Sequence, residues 1–199
     1  MNRPGTLERM ILAPDAAIDD IAAWLDGLAP LVRIEETRAL GPAPQAVLWR
    51  LTAGRTYGLD DLVPPDYGPL EPVRHFGRNT LPVFRLFEKR FCRPSIATAE
   101  PVLWGYNEGA TRPLIGPGYF VTRLTPSDPR GGSVVDYWQV PPERPTSWPD
   151  VRDNTSGLQR FVYARMDDFL RKVSAHVSIG RAWRNHKVTD NYFVLCREG

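Results

Sequence analysis

Cysteine is scarce: the 199-residue chain holds two, Cys92 and Cys196, far apart and with no CxxC pair. That argues against a disulfide framework and leaves a structural zinc site without its usual ligand spacing. Histidine is limited to His75, His176 and His186, which also lack ligand spacing, so neither a metal nor another cofactor is expected. Long apolar runs are missing too. No stretch approaches the roughly 20 apolar residues of a membrane span. Charges interrupt MNRPGTLERMILAPDAA where a signal peptide would need an apolar core. The expectation is a cytoplasmic protein with no membrane partner. Neither sign of charge dominates, with 25 Lys plus Arg against 23 Asp plus Glu and a net charge of +2. A nucleic-acid binder usually carries a stronger excess or one basic block, so no nucleic-acid partner is expected.

What the chain does have is a composition of 42% hydrophobic and 24% charged residues, enough to bury a core in a single domain spanning 1–199. Six tryptophans add large buried areas. The 20 prolines and 16 glycines punctuate it into short elements and long, stiffened loops. The cations are mainly arginine, which suits bidentate capture of carboxylate or phosphate and keeps an anionic small molecule in view.

Helical spacing of Ile18, Ile21, Ala22, Leu25 and Leu28 predicts a helix over 14–28. The run 46–52 fits a short helix or a strand equally. Residues 58–77, rich in Pro and Gly, read as an extended loop. Thr80 and Pro82 resemble a helix start, and Phe84, Phe87 and Phe91 would then share one face. Beyond Pro94 the period changes to two. Strands are predicted from Val102 through Asn107, from Tyr119 to Thr125 and from Ser133 to Val140, with TPSDPRGG as a hairpin connection. The segment 141–157 reads as another long loop. A broad apolar stripe from Leu158 to Val173 predicts a long helix. Two strands then follow, joined around Asn185-His186-Lys187. The order lacks a βαβ alternation, so the expected class is α+β: a mostly antiparallel, curved sheet packed on helices, with long Pro/Gly-rich loops.

Five clusters carry candidate chemistry. In His75-Phe76-Gly77-Arg78-Asn79, His75 is a candidate acid or base, while Arg78 and Asn79 suit a carboxylate or carbonyl oxygen; turn formation and surface pairing explain the same residues more blandly. Phe84 to Arg93 interleaves aromatics with cations, including Arg90, but at helical spacing a core stripe is the better reading. Gly105-Tyr106-Asn107 and Gly116-Pro117-Gly118-Tyr119 offer hydroxyls and an amide for a pocket without any phosphate-loop signature. Asp136 lies within a strand, buried in one register and solvated in the other. Cys196 and His176 form no recognisable nucleophile–base motif, and Cys196 reads as a small core residue.

The segments HFGRNTLP, FEKRF, GYN, GPGYF, VVDY and VSIGRA resemble those of a group of uncharacterised bacterial proteins of similar size. The resemblance covers the chain from His75 onward and implies a shared fold and a bacterial origin. No activity, cofactor or catalytic residue comes with it. The residues themselves point to a cofactor-independent enzyme doing acid–base chemistry, of lyase, isomerase or cyclase type, on a carbonyl-bearing or anionic metabolite. His75 and Asp136 would be the catalytic pair, with Arg78, Asn79, Arg90, Tyr106, Asn107 and Tyr119 binding the ligand. The alternative is a non-catalytic binder of a lipid or other apolar ligand, with the aromatic content lining a dry pocket.

Overall fold

Four helices lead the chain in a computed structural model that describes residues 5–199: α1 (Thr6–Leu12), α2 (Ile18–Asp26), α3 (Pro30–Ala39) and α4 (Pro42–Leu51). Proline opens α3 and α4, where its missing N–H costs no helical hydrogen bond. Buried Arg33 donates from Nε to the Leu25 carbonyl at 3.1 Å and from Nη2 to the Leu28 carbonyl at 3.0 Å, tying α3 to the end of α2. The short α5 (Leu59–Leu62) follows, its first turn closed by Asp61 accepting the Gly58 N–H at 2.8 Å.

Eight strands then close into a barrel: β1 (Val73–Asn79), β2 (Leu86–Cys92), β3 (Val102–Glu108), β4 (Tyr119–Leu124), β5 (Ser133–Asp136), β6 (Met166–Lys172), β7 (Val177–Arg184) and β8 (Lys187–Arg197). Each strand runs antiparallel to the next, and β8 returns to pair with β1, Gly77 facing Leu195. A one-turn helix α6 (Arg112–Ile115) sits between β3 and β4, and a 3-10 turn (Leu158–Phe161) sits between β5 and β6. Closure into a barrel corrects the expectation of a curved sheet packed on helices; the mixed content and antiparallel pairing stand. Hydrophobic residues on both faces of the strands make closure compatible with burial. The inner face has its own core, and the outer face is covered twice.

One outer layer is the helical one. Leu7, Ile11, Ile21, Leu25, Leu48 and Trp49 pack on the outward side chains of β7, β8 and neighbouring strands, with α3 lying over β8 and β1 and α4 over β7 and β8. The other is the long connection after β5, whose Trp148 covers Cys92, Trp104, Tyr106, Tyr119 and Val121. Asn154 pins that connection, donating to the backbone oxygens of Tyr119 at 2.7 Å and Tyr137 at 2.9 Å. Inside, Phe91, Leu103, Phe120, Leu170 and Leu195 fill one end of the barrel, and Tyr57, Leu59, Leu62 and Val63 plug it.

Three further expectations change. Residues 58–77 contain α5 and most of β1. The segment from Thr80 is a loop leading into β2, with Phe84 at a positive φ of 52°, so Phe87 and Phe91 share a face by strand alternation. The predicted helix over 158–173 is the 3-10 turn followed by β6. The strands expected at 102–107, 119–125, 174–184 and 188–197 are present, the third of them starting at Val177. The β7–β8 turn at Asn185 and His186, with φ of 51° and 62°, has the two left-handed residues that a two-residue hairpin requires.

Candidate functional site

The end of the barrel opposite the α5 plug is open and leads to a cavity of about 570 Å3. An eight-stranded barrel is the size at which the interior either just fills or holds one small ligand, and this one does each at a different end. The β1–β2 loop (Leu81, Val83, Phe84) and the 3-10 region (Phe161, Val162) line its mouth. Phe84 and Phe161 are 67% and 62% exposed there, and Glu108, Arg112 and Arg184 also line the cavity.

The walls are shaped by glycine. Gly77, Gly105 and Gly180 point inward, and each faces a phenylalanine on the adjacent strand: Phe87, Phe120 and Phe193. The rings lie over the missing side chains, so that a Cβ would come within 2.6 Å of Phe87, 2.2 Å of Phe120 and 2.1 Å of Phe193. Strand glycines often mark such a close approach. The three rings, with Tyr137, surround one ammonium group, the Nζ of Lys89, at 5.0–5.8 Å from their centroids.

Lys89 projects inward from β2 between Phe87 and Phe91 and is 2% exposed. Its three N–H bonds have three acceptors: Asn107 Oδ1 at 3.1 Å, Asp168 Oδ2 at 3.0 Å and the Tyr137 hydroxyl oxygen. Tyr137 in turn donates to Asp168 Oδ2 at 3.3 Å. Asn107 is oriented by its amide, which donates to the Gly118 carbonyl at 3.0 Å and to the Tyr137 oxygen at 3.0 Å. Tyr163 stacks on Tyr137 with centroids 5.5 Å apart, and its ring occupies the space a side chain at Gly118 would need. Lys89, Asn107, Tyr137 and Asp168 all line the cavity and form its polar floor.

Burial pulls the Lys89 ammonium below the usual lysine range, while the Asp168 carboxylate holds it up. Burial and the neighbouring Asp168 carboxylate push the Tyr137 phenol well up, so it stays protonated and can donate. The floor therefore brings a desolvated ammonium, a carboxylate and a neutral hydroxyl within hydrogen-bond reach of one another.

Of the residues singled out in the sequence, Asn107 reaches the floor and Asn79 the mouth, where Asn79 Oδ1 accepts the Leu81 N–H at 3.1 Å and shapes the turn. His75 is inside the barrel but beneath the floor, its Nε2 2.8 Å from the Leu62 carbonyl oxygen and its ring edge-on to Phe91. Burial lowers its pKa to about 3, so it is neutral. Asp136 is on the outer face, since Val135 and Tyr137 take the inward positions; its carboxylate accepts the Trp138 N–H at 2.8 Å and the Gln139 amide at 3.2 Å. Arg78, Arg90, Tyr106 and Tyr119 also point outward. Arg78 donates to the Arg38 carbonyl at 2.7 Å, and Arg90 pairs with Glu88 at 2.7 Å. Tyr106 donates to Glu108 at 3.0 Å, and Tyr119 bonds the Pro149 carbonyl.

Sequence reasoning missed Lys89, Tyr137 and Asp168. The signal for the first was available: a lysine alternating with phenylalanines in a β-compatible run, in a chain with three lysines against 22 arginines. Among the described residues, no group of three or more His, Cys, Asp or Glu side chains is placed to hold a metal ion, and no helix is long and apolar enough to cross a membrane. Comparison with protein-family models, curated proteins and solved structures finds no match to this chain.

Proposed function

We propose that the barrel takes up a small, largely apolar molecule bearing one carbonyl group and performs acid–base chemistry on it at the cavity floor. The observation that carries this reading is the convergence of Lys89, Tyr137 and Asp168 at the bottom of an otherwise mostly apolar chamber. In this reading the acid–base roles expected at His75 and Asp136 pass to these residues, which line the cavity and meet one another at its floor, whereas His75 and Asp136 do not line it. Lys89 and Tyr137 supply donors to the carbonyl oxygen, where negative charge develops as a neighbouring C–H is lost. Asp168 is the proton acceptor.

The natural substrate need not be identified for the test. Apolar ketones and aldehydes are incubated with the protein in deuterium oxide, and deuterium uptake at the carbon next to the carbonyl is followed by mass spectrometry. Catalysed uptake that Asp168→Asn abolishes is the expected result. A second reading, a non-catalytic carrier, is favoured by the fact that all three Lys89 N–H bonds already have acceptors within the protein. It predicts retention of the ligand in native mass spectra with no deuterium uptake above the buffer rate.

A further inference from the structure

We propose that Lys89 is a nucleophile that binds a carbonyl ligand covalently, as an imine. This rests on the preceding reading that the cavity admits an apolar carbonyl compound, and it adds a bond that proton transfer alone does not require. The first support is residue choice. With 22 arginines and three lysines, this chain meets nearly every need for positive charge with arginine, yet the cation at the cavity floor is a lysine. Arginine stays protonated in proteins, whereas a desolvated lysine can release its proton and present a lone pair. The other two lysines serve the surface: Lys187 is exposed in the β7–β8 hairpin, and Lys172 pairs with Asp61 at 2.6 Å.

The second support is geometry. Asp168 Oδ2, 3.0 Å from Nζ, is the proton acceptor that frees the amine, and the Tyr137 hydroxyl lies beside both. The Lys89 ammonium first passes a proton to Asp168. Its nitrogen lone pair then forms a C–N bond to the carbonyl carbon, and the C=O π electrons move to oxygen. That oxygen takes one proton from the attacking nitrogen, giving a carbinolamine. Asp168 returns its proton to the hydroxyl, the C–O bond breaks, and water leaves. The product is a protonated imine on Lys89 with the Asp168 carboxylate as counter-ion. Net charge is unchanged, one water is released, and no oxidant or reductant takes part. The surrounding rings of Phe87, Phe120 and Phe193 suit a delocalised iminium as they suit the ammonium.

The experiment uses the intact protein and 2-naphthaldehyde, an apolar aldehyde without acidic α-hydrogens, with cyanoborohydride to fix any imine as a secondary amine. Peptide mapping then compares Lys89, Lys172 and Lys187. Labelling at Lys89 ahead of exposed Lys187 is expected, because the aldehyde is held against it in the cavity, and Lys89→Arg should lose that label alone. If native mass spectra show the aldehyde held in the barrel while only Lys187 and Lys172 are labelled, the imine is wrong and the binding reading survives. If the aldehyde is neither held nor attached to Lys89, both readings fall. Because Lys89→Arg could disturb folding, the wild-type label distribution decides the matter by itself.

Discussion

Asp168→Asn removes one negative charge and almost no volume from the floor of the cavity, and the structure sets what that should cost. The Lys89 and Asp168 side chains are 2% and 8% exposed, and their charged atoms are 3.0 Å apart. Without Asp168 the ammonium keeps the Asn107 and Tyr137 oxygens but has no counter-ion. Removing one partner of a buried pair costs about 3–5 kcal/mol. A second route gives a similar ceiling: neutralising an ordinary lysine at pH 7 requires about 4.6 kcal/mol, and Lys89 already lies below the ordinary range. Its folded pKa falls further in the variant, while in the unfolded chain it stays near about 10.4. Between those values the unfolded chain binds more protons, so variant stability rises with pH and the deficit against wild type narrows from pH 7 towards 10. Guanidinium unfolding followed by the fluorescence of the six tryptophans, at several pH values and with unchanged m, measures this directly. The apolar pair Lys89→Met with Asp168→Leu should recover most of the loss. A deficit under about 1 kcal/mol, with pH curves parallel to wild type, would mean that water reaches the Lys89 head and that the pair behaves like a surface one.

Other expectations are checked more simply. Gly180→Ala places a methyl 2.1 Å from the Phe193 ring and should cost about 1–3 kcal/mol by overpacking, partly relieved by Phe193→Leu; denaturant midpoints test both. His75, with its pKa lowered to about 3, gives stability that is fully present above about pH 6.5 and declines as pH falls towards 3, because the unfolded chain protonates first. Imidazole proton shifts that titrate near 6.5 in the folded protein would contradict this. Burial pushes the Cys92 thiol up to about 12 and the Cys196 thiol up to about 11, so a thiol reagent at pH 8 should react with neither until the protein unfolds. A prompt burst of one equivalent would show that a thiol meets solvent.

The parts of the fold visible from the sequence are those whose two faces differ in a simple way. In β3, Leu103, Gly105 and Asn107 alternate with Trp104 and Tyr106, and period two is plain even though both faces are buried. The β7–β8 hairpin shows through Asn185 and His186. The two strands that read as helices, β2 and β6, are the ones that carry the ion pair. Lys89 interrupts the inward row of β2, and Asp168 interrupts that of β6 between Met166 and Leu170. A charged residue in an inward position breaks the alternation that marks a strand, and what remains fits a 3.6-residue period just as well. The residues of the candidate site thus hid the elements that hold them, as expected where a site departs from the rules governing the rest of a chain. Barrel closure was hidden for a different reason. The pairing of Phe76 with Cys196 joins positions on strands that no local pattern connects.

That pairing also governs how the molecule is assembled. Seven of the eight ladders join strands adjacent in sequence and can form as hairpins, but the eighth links β1 to β8 across roughly 120 residues of chain. Non-local pairing of this kind slows folding. Until it forms, β1 and β8 are two bare sheet edges able to recruit another chain. Lys89 and Asp168, 79 residues apart, can be solvated separately during that interval. Closing that ladder therefore ends the exposure of both edges and completes the chamber in the same step, so a molecule without it has open edges and no closed chamber.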